Sequence, residues 1–448
     1  MKIVSLLAKR QADNVCTSLR TIVNQSFDTL QIDSSHSLEI TLYKGIDTLL
    51  NFILIAYLTI GCTNGKVSND DLPSIDVTKN YPEKEIILTD IADVTYVHLD
   101  SQNEDYIYRG GVNYISENSI VVVDASSGSV LFFSKDGKPK SRFNHYGQGP
   151  EEYPYLLGMN VTYDETADDV FVHAYGLSDC MLVYSSTGKY KRKIPLPQNA
   201  ESISLISFDD NSFFVNSRAN VENIENWDGV TKLIPTSYFS TFYQLSKEDG
   251  TVLDSLKVPC NVTELISKVE LGSYSITVDK IHFTHITKSS DGLFLCNPEN
   301  DTIYLYAKDK SLTPVFHKTP LVQKTDPKVV INNWCEVDNY LFFEILTLQV
   351  GMRDKTKIVP NAFYVLEKKT NEIFRQKILL PDNKNKEFTL SQANINRTNV
   401  INEAFFELDL VELKQAYKEN KLSGKLKELV GTLDELNDNN IFMIVDFK

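Results

Sequence analysis

The stretch His145-Tyr146-Gly147-Gln148-Gly149-Pro150-Glu151-Glu152-Tyr153 gathers an imidazole, an amide, carboxylates and a phenol around glycines and a proline. Those side chains donate and accept hydrogen bonds, and the glycines let the backbone turn sharply beside them. His145, Gln148, Glu152 and Tyr153, with Arg109 and Trp227 elsewhere in the chain, are therefore the candidate ligand-binding residues. Catalytic patterns are not found: the chain has no HExxH, no Gly-x-Ser-x-Gly, no GxxxxGK and no EF-hand loop. Of seven histidines, His282 and His285 are the only close pair. Three apart on a strand, they point to opposite faces, which argues against a shared metal. Carboxylates are plentiful, but no spacing marks a general acid and base. The expectation is a binding surface with no catalytic residue, no metal and no cofactor.

The elements that must position these groups read as strands. Ile120, Val121, Val122 and Val123 are β-branched and apolar without alternation, as in a strand covered on both faces. Ser126-Ser127-Gly128 then turns the chain, Val130 to Phe133 is the next apolar run, and Asp136-Gly137 suits a tight hairpin. Lys138, Lys140 and Arg142 mark an edge strand kept from foreign pairing by charge.

The pattern recurs. An acidic or amide turn precedes an apolar run at Glu117-Asn118, Asp168-Asp169, Asp210-Asn211, Asp291-Gly292, Asp338-Asn339 and Asp438-Asn439-Asn440. Five of these are followed by a hairpin whose second strand is basic, and its turn glycines Gly137, Gly188 and Gly250 recur with a period on the order of fifty residues. Several strands per unit at that period describe the blades of an all-β, six-bladed β-propeller over residues 83–448. The sixth copy begins at Asp438 and ends with the chain, while residues 85–99 hold two strand-like pieces without a blade. Pairing an N-terminal strand with the last sheet closes the ring and removes its exposed edges. Residues 218–240, with Trp227, read as a long loop in the third blade. Residues 403–436 read as a short helical insertion before the last strand, from Leu422, Leu426, Leu429, Leu433 and Leu436.

Charge and address bear on partners. The net charge is −15, and residues 1–61 cancel internally, so the acidity belongs to Cys62–Lys448. An acidic surface disfavours nucleic acid. Residues 49–60, LLNFILIAYLTI, form an apolar run too short to span a bilayer as a helix, followed by Gly61-Cys62. The run resembles a bacterial lipoprotein signal, which implies lipidation at Cys62, a signal over 44–61, a flexible tether over 62–82 and an N-terminal extension over 1–43. The remaining cysteines form no CxxC or close pair, so free thiols are expected.

The His145–Tyr153 stretch also resembles the Gly-Gln-Gly-Pro-Gly-Glu-Tyr signature of six-bladed propeller lipoproteins of Bacteroides-type bacteria, related to NHL-like propellers. Glu151 stands where that signature has glycine. The resemblance covers about residues 80–448 and implies the fold and a lipid-anchored place in the cell envelope, at the outer membrane. Three readings of function follow: a non-catalytic module binding a glycan, peptide or partner protein; a hydrolase or lyase using inward His, Asp or Glu on a sugar or peptide; or a structural part of an envelope complex.

Overall fold

Ile120 to Val123 are fully buried on the strand Ser119–Asp124, with a strand paired along each edge, in the computed structural model of the chain. The structure describes residues 72–448 apart from 155, 157–160, 175–176, 178, 198–199, 218–220, 228–229, 236–238, 260–264, 272–273, 277–285, 298–299, 349–361, 385 and 399. The expected extension, signal and Cys62 lie outside the described residues.

Six short sheets make the ring. Blade one is Gly111–Ile115, Ser119–Asp124, Ser129–Ser134 and Pro139–Asn144, and blade two is Val161–Asp164, Asp169–Val172, Cys180–Tyr184 and Tyr190–Pro195. Blade three comprises Ala200–Ser207, Ser212–Ser217, Phe239–Ser246 and Val252–Pro259; blade four, Ile286–Ser289, Gly292–Leu295, Thr302–Ala307 and Leu312–Thr319. Blade five is Lys328–Val337, Tyr340–Leu348, Ala362–Glu367 and Glu372–Leu379, and blade six is Glu403–Leu408, Ile441–Phe447 and Ala92–His98. First strands approach one another between blades one and two, three and four, and four and five, which places them around the axis.

The core has the same radial order. Six apolar clusters lie one between each pair of adjacent blades, Val121 with Val170 between the first two and Phe442 with Ile120 where the sixth meets the first. Two facing layers would give one continuous core instead. The recurring turn glycines serve this packing. Gly188, at φ 85°, has the side chain of Phe143 so close that an added Cβ would come within 2.4 Å of it. Gly137 meets the His98 carbonyl and Gly250 the Pro195 carbonyl in the same way. Each turn is thus wedged against the outer strand of the preceding blade, which is why its chemistry repeats.

The ring closes as expected: Ala92–His98 pairs antiparallel with Ile441–Phe447 from Ala92↔Phe447 to His98↔Ile441. Upstream, Glu83–Ile87 adds in parallel to the outer strand of blade five. Ser74–Asp76 adds in parallel to that of blade four, within the stretch expected to be a tether. The residues 72–98 therefore strap three consecutive blades.

Three details differ from the sequence reading. The run led by Asn402, Glu403–Leu408, takes the position of second strand in blade six, and the Asp438-led run is its third strand. The sign is Asn402, whose side chain accepts the Asp338 N–H across the blade junction, as Glu165 accepts that of Asn118 between the first two blades. Second, helix begins only after this strand, as α1 (Leu410–Lys418) and α2 (Gly424–Thr432). Asp409 accepts the Glu412 N–H at 2.9 Å and so fixes the start, an N-cap that leucine spacing alone does not reveal. Third, residues 218–240 are not a loop throughout. Val221–Trp227 and Val230–Pro235 join Leu265–Leu271 and Tyr274–Ile276 in a separate four-stranded sheet, in keeping with β-formers such as Val230, Thr231 and Ile234.

Candidate functional site

His145 to Tyr153 forms the connection from blade one to blade two, and its polar groups fasten that junction. The Tyr153 hydroxyl donates to the Gly128 carbonyl at 2.7 Å and accepts the His145 N–H at 3.0 Å, with the ring fully buried. His145 stacks on Tyr184 at 4.9 Å between ring centroids, and its Nε2–H donates to the Gly188 carbonyl at 2.6 Å. Glu152 turns back to accept the Gly149 N–H at 2.8 Å. A Cβ on Gly147 would lie 1.9 Å from the same carboxylate, so a side chain there would have to displace Glu152 from its bond to Gly149. Glu151 is not among the positive-φ residues, and its carbonyl accepts the Tyr184 hydroxyl, so no glycine is needed where the resemblance departs.

The structure thus brings His145, Glu152 and Tyr153 together, as a clamp between blades. Gln148 is exposed on the same connection, and Arg109 is exposed on the connection into blade one. Trp227 ends a strand of the separate sheet, and its side chain lies outside what is described. Replacing Tyr153 by Phe strands one buried acceptor and one donor and is expected to cost about 1–3 kcal/mol. A lower denaturant midpoint with an unchanged slope checks this.

The axis is filled by a second set of residues. Lys288, on the first strand of blade four, reaches across to donate to the Thr398 carbonyl at 2.5 Å, with Tyr114 of blade one 5.8 Å from its amine. Residues 392–398 occupy the place of an inner strand in blade six: the Arg397 carbonyl accepts the Ile115 N–H, and the Asn396 side-chain amide donates to the Ile286 carbonyl. Lys247 pairs with Asp164 at 2.8 Å beside a void of about 20 Å³, room for one water. Lys135–Glu403 and Lys368–Glu336 continue this belt at equivalent turns of blades one and five. Among the described residues no three metal-capable side chains converge.

Burial, aided by the charge of Lys247, pushes the Lys288 amine down to about 8. A lysine depressed in the folded state holds fewer protons than the unfolded chain between about pH 8 and its ordinary value near 10.5. Stability therefore rises with pH across that window, by at most about 1.4 kcal/mol per pH unit for one group. Buried tyrosines such as Tyr153 and Tyr184, raised by burial, pull the other way at higher pH. The test is the difference between wild type and Lys288→Met: the gap in unfolding free energy is expected to shift in favour of wild type from pH 8 to 10, and a pH-independent gap would refute it.

Where the axis is packed, the junction of blades five and six is open. A cleft of about 430 Å³ lies between the turn after blade five, the end of Glu403–Leu408, and α1. Phe388, Phe406, Leu408 and Leu413 make a floor of buried apolar side chains. Charged groups form the rim: Lys384, Lys386 and Lys421 against Glu407, Asp409 and Glu412. Lys386 and Glu412 meet at 2.6 Å across it, both substantially exposed. A concave site of this size with a few convergent polar groups suits a small ligand or a short segment of a larger one. Sequence reading passed over it because its walls come from three separated segments. The Asp409-x-x-Glu412 cap was the available signal for one of them.

Three comparisons bear on this fold. A family model described as "Domain of unknown function (DUF4934)" matches residues 72–446. No curated protein matches the chain. Among solved structures, a protein of Bacteroides fragilis NCTC 9343 described as exported is 16% identical, with a TM-score of 0.53 over 84% of this chain and 99% of its own. A member of the DUF4221 family from Bacteroides vulgatus ATCC 8482 is 11% identical, with a TM-score of 0.41 over 80% of this chain and 97% of its own. The first likeness supports the six-bladed ring.

Proposed function

The chain belongs to the DUF4934 family, and from that premise we propose that it is a non-catalytic binding module whose ligand occupies the cleft between blades five and six. We further propose that it is held at the bacterial cell envelope by lipid on Cys62, as its lipoprotein-like signal implies. Among the described residues no helix is long and apolar enough to cross a membrane. The observation that carries the binding reading is the contrast between an axis crossed by Lys288 and a cleft of about 430 Å³ with an apolar floor and a charged rim. A hydrolase or lyase built on inward residues would need groups free to act on substrate. The axial Asp164 is instead held by Lys247, and Glu403 by Lys135 and Thr398.

The test uses the mature chain from Cys62 against glycan and peptide arrays, with Lys384→Glu and Glu412→Lys as cleft variants. Both substitutions are at exposed positions and are expected to leave folding intact. Binding weakened by about tenfold in either variant supports the reading. A ligand bound equally by wild type and both variants, or no ligand at all, overturns it. Mass spectrometry of the mature N-terminus tests lipidation at Cys62 separately.

A further inference from the structure

Resting on that reading, we propose that the ligand of the cleft is a peptide segment: an apolar stretch with acidic and basic side chains at opposite edges.

The floor argues first. Phe388 and Phe406 meet edge to face, with centroids 5.6 Å apart and an interplanar angle of 75°. Each is only 7% exposed, so neither offers an open ring face as a platform for a sugar ring. Beside them Leu408 and Leu413 are buried as well. What little of these side chains lines the cleft is apolar, so the floor favours aliphatic or aromatic groups, which gain by leaving water and need no hydrogen-bond partner.

The rim then selects by charge. Lys384 and Lys386 stand on the turn after blade five, while Asp409 and Glu412 stand on the opening turn of α1. The Lys386–Glu412 contact shows the two walls facing each other across the cleft. It is a solvated pair of long side chains, and such pairs contribute little, so a ligand that supplies a carboxylate to the lysines and a cation to the acids replaces it at small cost. A neutral glycan would meet the walls through hydrogen bonds alone, without complementary charge, and a polyanion would be repelled by one of them. A peptide carries both signs and apolar side chains on one chain. Complementary potentials of this kind give specificity and orientation as well as attraction.

The experiment pans a displayed library of random heptapeptides against the mature chain, with an array of neutral and acidic oligosaccharides run in parallel. The expected result is an enriched consensus of apolar residues flanked by an acid on one side and a base on the other. A synthetic peptide of that consensus should bind about tenfold more weakly to Lys384→Glu and to Glu412→Lys, and more weakly as salt rises from about 50 to about 500 mM. Oligosaccharide binding that the same variants abolish, with no peptide enriched, would overturn the peptide assignment and leave the cleft as the binding site. Enriched peptides indifferent to both variants would overturn the assignment together with the cleft. Enrichment of peptides lacking one of the two charges would refute the two-walled recognition.

Discussion

A chain that stops at Asn440 is expected to remain unfolded. Ile441–Phe447 lies between two strands, pairing with Glu403–Leu408 on one side and with Ala92–His98 on the other. Without it, the N-terminal strand has no sheet to join and blades six and one lose the wall between them. The loss includes Ile441, Phe442, Met443, Ile444 and Val445, all buried, in the clusters that join blade six to both neighbours. Truncating one large buried side chain typically costs about 2–5 kcal/mol. Five such losses, roughly 10–25 kcal/mol together, match or exceed the roughly 5–15 kcal/mol by which native domains are usually stable. The milder form is Phe442→Ala, expected to cost about 3–5 kcal/mol while leaving the ring intact. Circular dichroism, a cooperative melt and limited proteolysis distinguish the two outcomes. A truncated chain that melts cooperatively near the wild-type temperature would mean that the ring holds without its closing strand.

That closure was legible in sequence because its physics is local and repeated. Second strands such as Ser119–Asp124 are covered on both faces, so they read as unbroken apolar runs. Outer strands such as Pro139–Asn144 face solvent on one side, so the exposed Lys140 and Arg142 alternate with the less exposed Pro139, Ser141 and Phe143. The wedge glycines Gly137, Gly188 and Gly250 recur because each of blades one to three leans on the outer strand of the blade before it. The sharp connection at Gly147, Gly149 and Pro150 was legible for a similar reason: Glu152 and the glycines form a turn within a few residues of one another.

Other features had no such local signature. The inner position of blade six is held by Asn394 and Asn396 side chains bonding to the Phe405 and Ile286 carbonyls, so residues 392–398 need no strand pattern. Lys288 stands in a polar stretch, Thr287-Lys288-Ser289-Ser290, that resembles any surface turn, and only the ring aims it across the axis. The cleft depends on three segments that meet solely through the fold. Its lysines at 384 and 386 look like solvated turn residues until Glu412 is seen opposite them. Chemistry assembled from distant segments leaves no mark at any one of them, whereas chemistry that shapes a turn does.

Lys318→Met is the second substitution with a large expected effect, and its interest lies in how the loss should be recovered. Lys318 and Asp301 are nearly inaccessible, at 2% and 1% side-chain exposure, with Nζ 3.7 Å from Oδ1. The amine also donates to the Pro320 carbonyl, and the carboxylate accepts the Val322 N–H, both at 2.6 Å. Burial pulls the Lys318 amine down to about 8 even though Asp301 favours its charged form. Desolvation therefore outweighs the attraction within the pair, the regime in which a buried ion pair adds little net stability but is costly to break. Methionine at 318 leaves the Asp301 charge buried alone, a loss expected at about 3–5 kcal/mol near neutral pH. Adding Asp301→Asn keeps an acceptor for the Val322 N–H and removes the charge, so the double variant should recover most of the loss. Unfolding free energies of wild type, Lys318→Met, Asp301→Asn and the double variant, measured near neutral pH, decide the matter. If the double variant is as unstable as Lys318→Met alone, the penalty comes from lost packing around the lysine stem, and the account in terms of a stranded carboxylate fails.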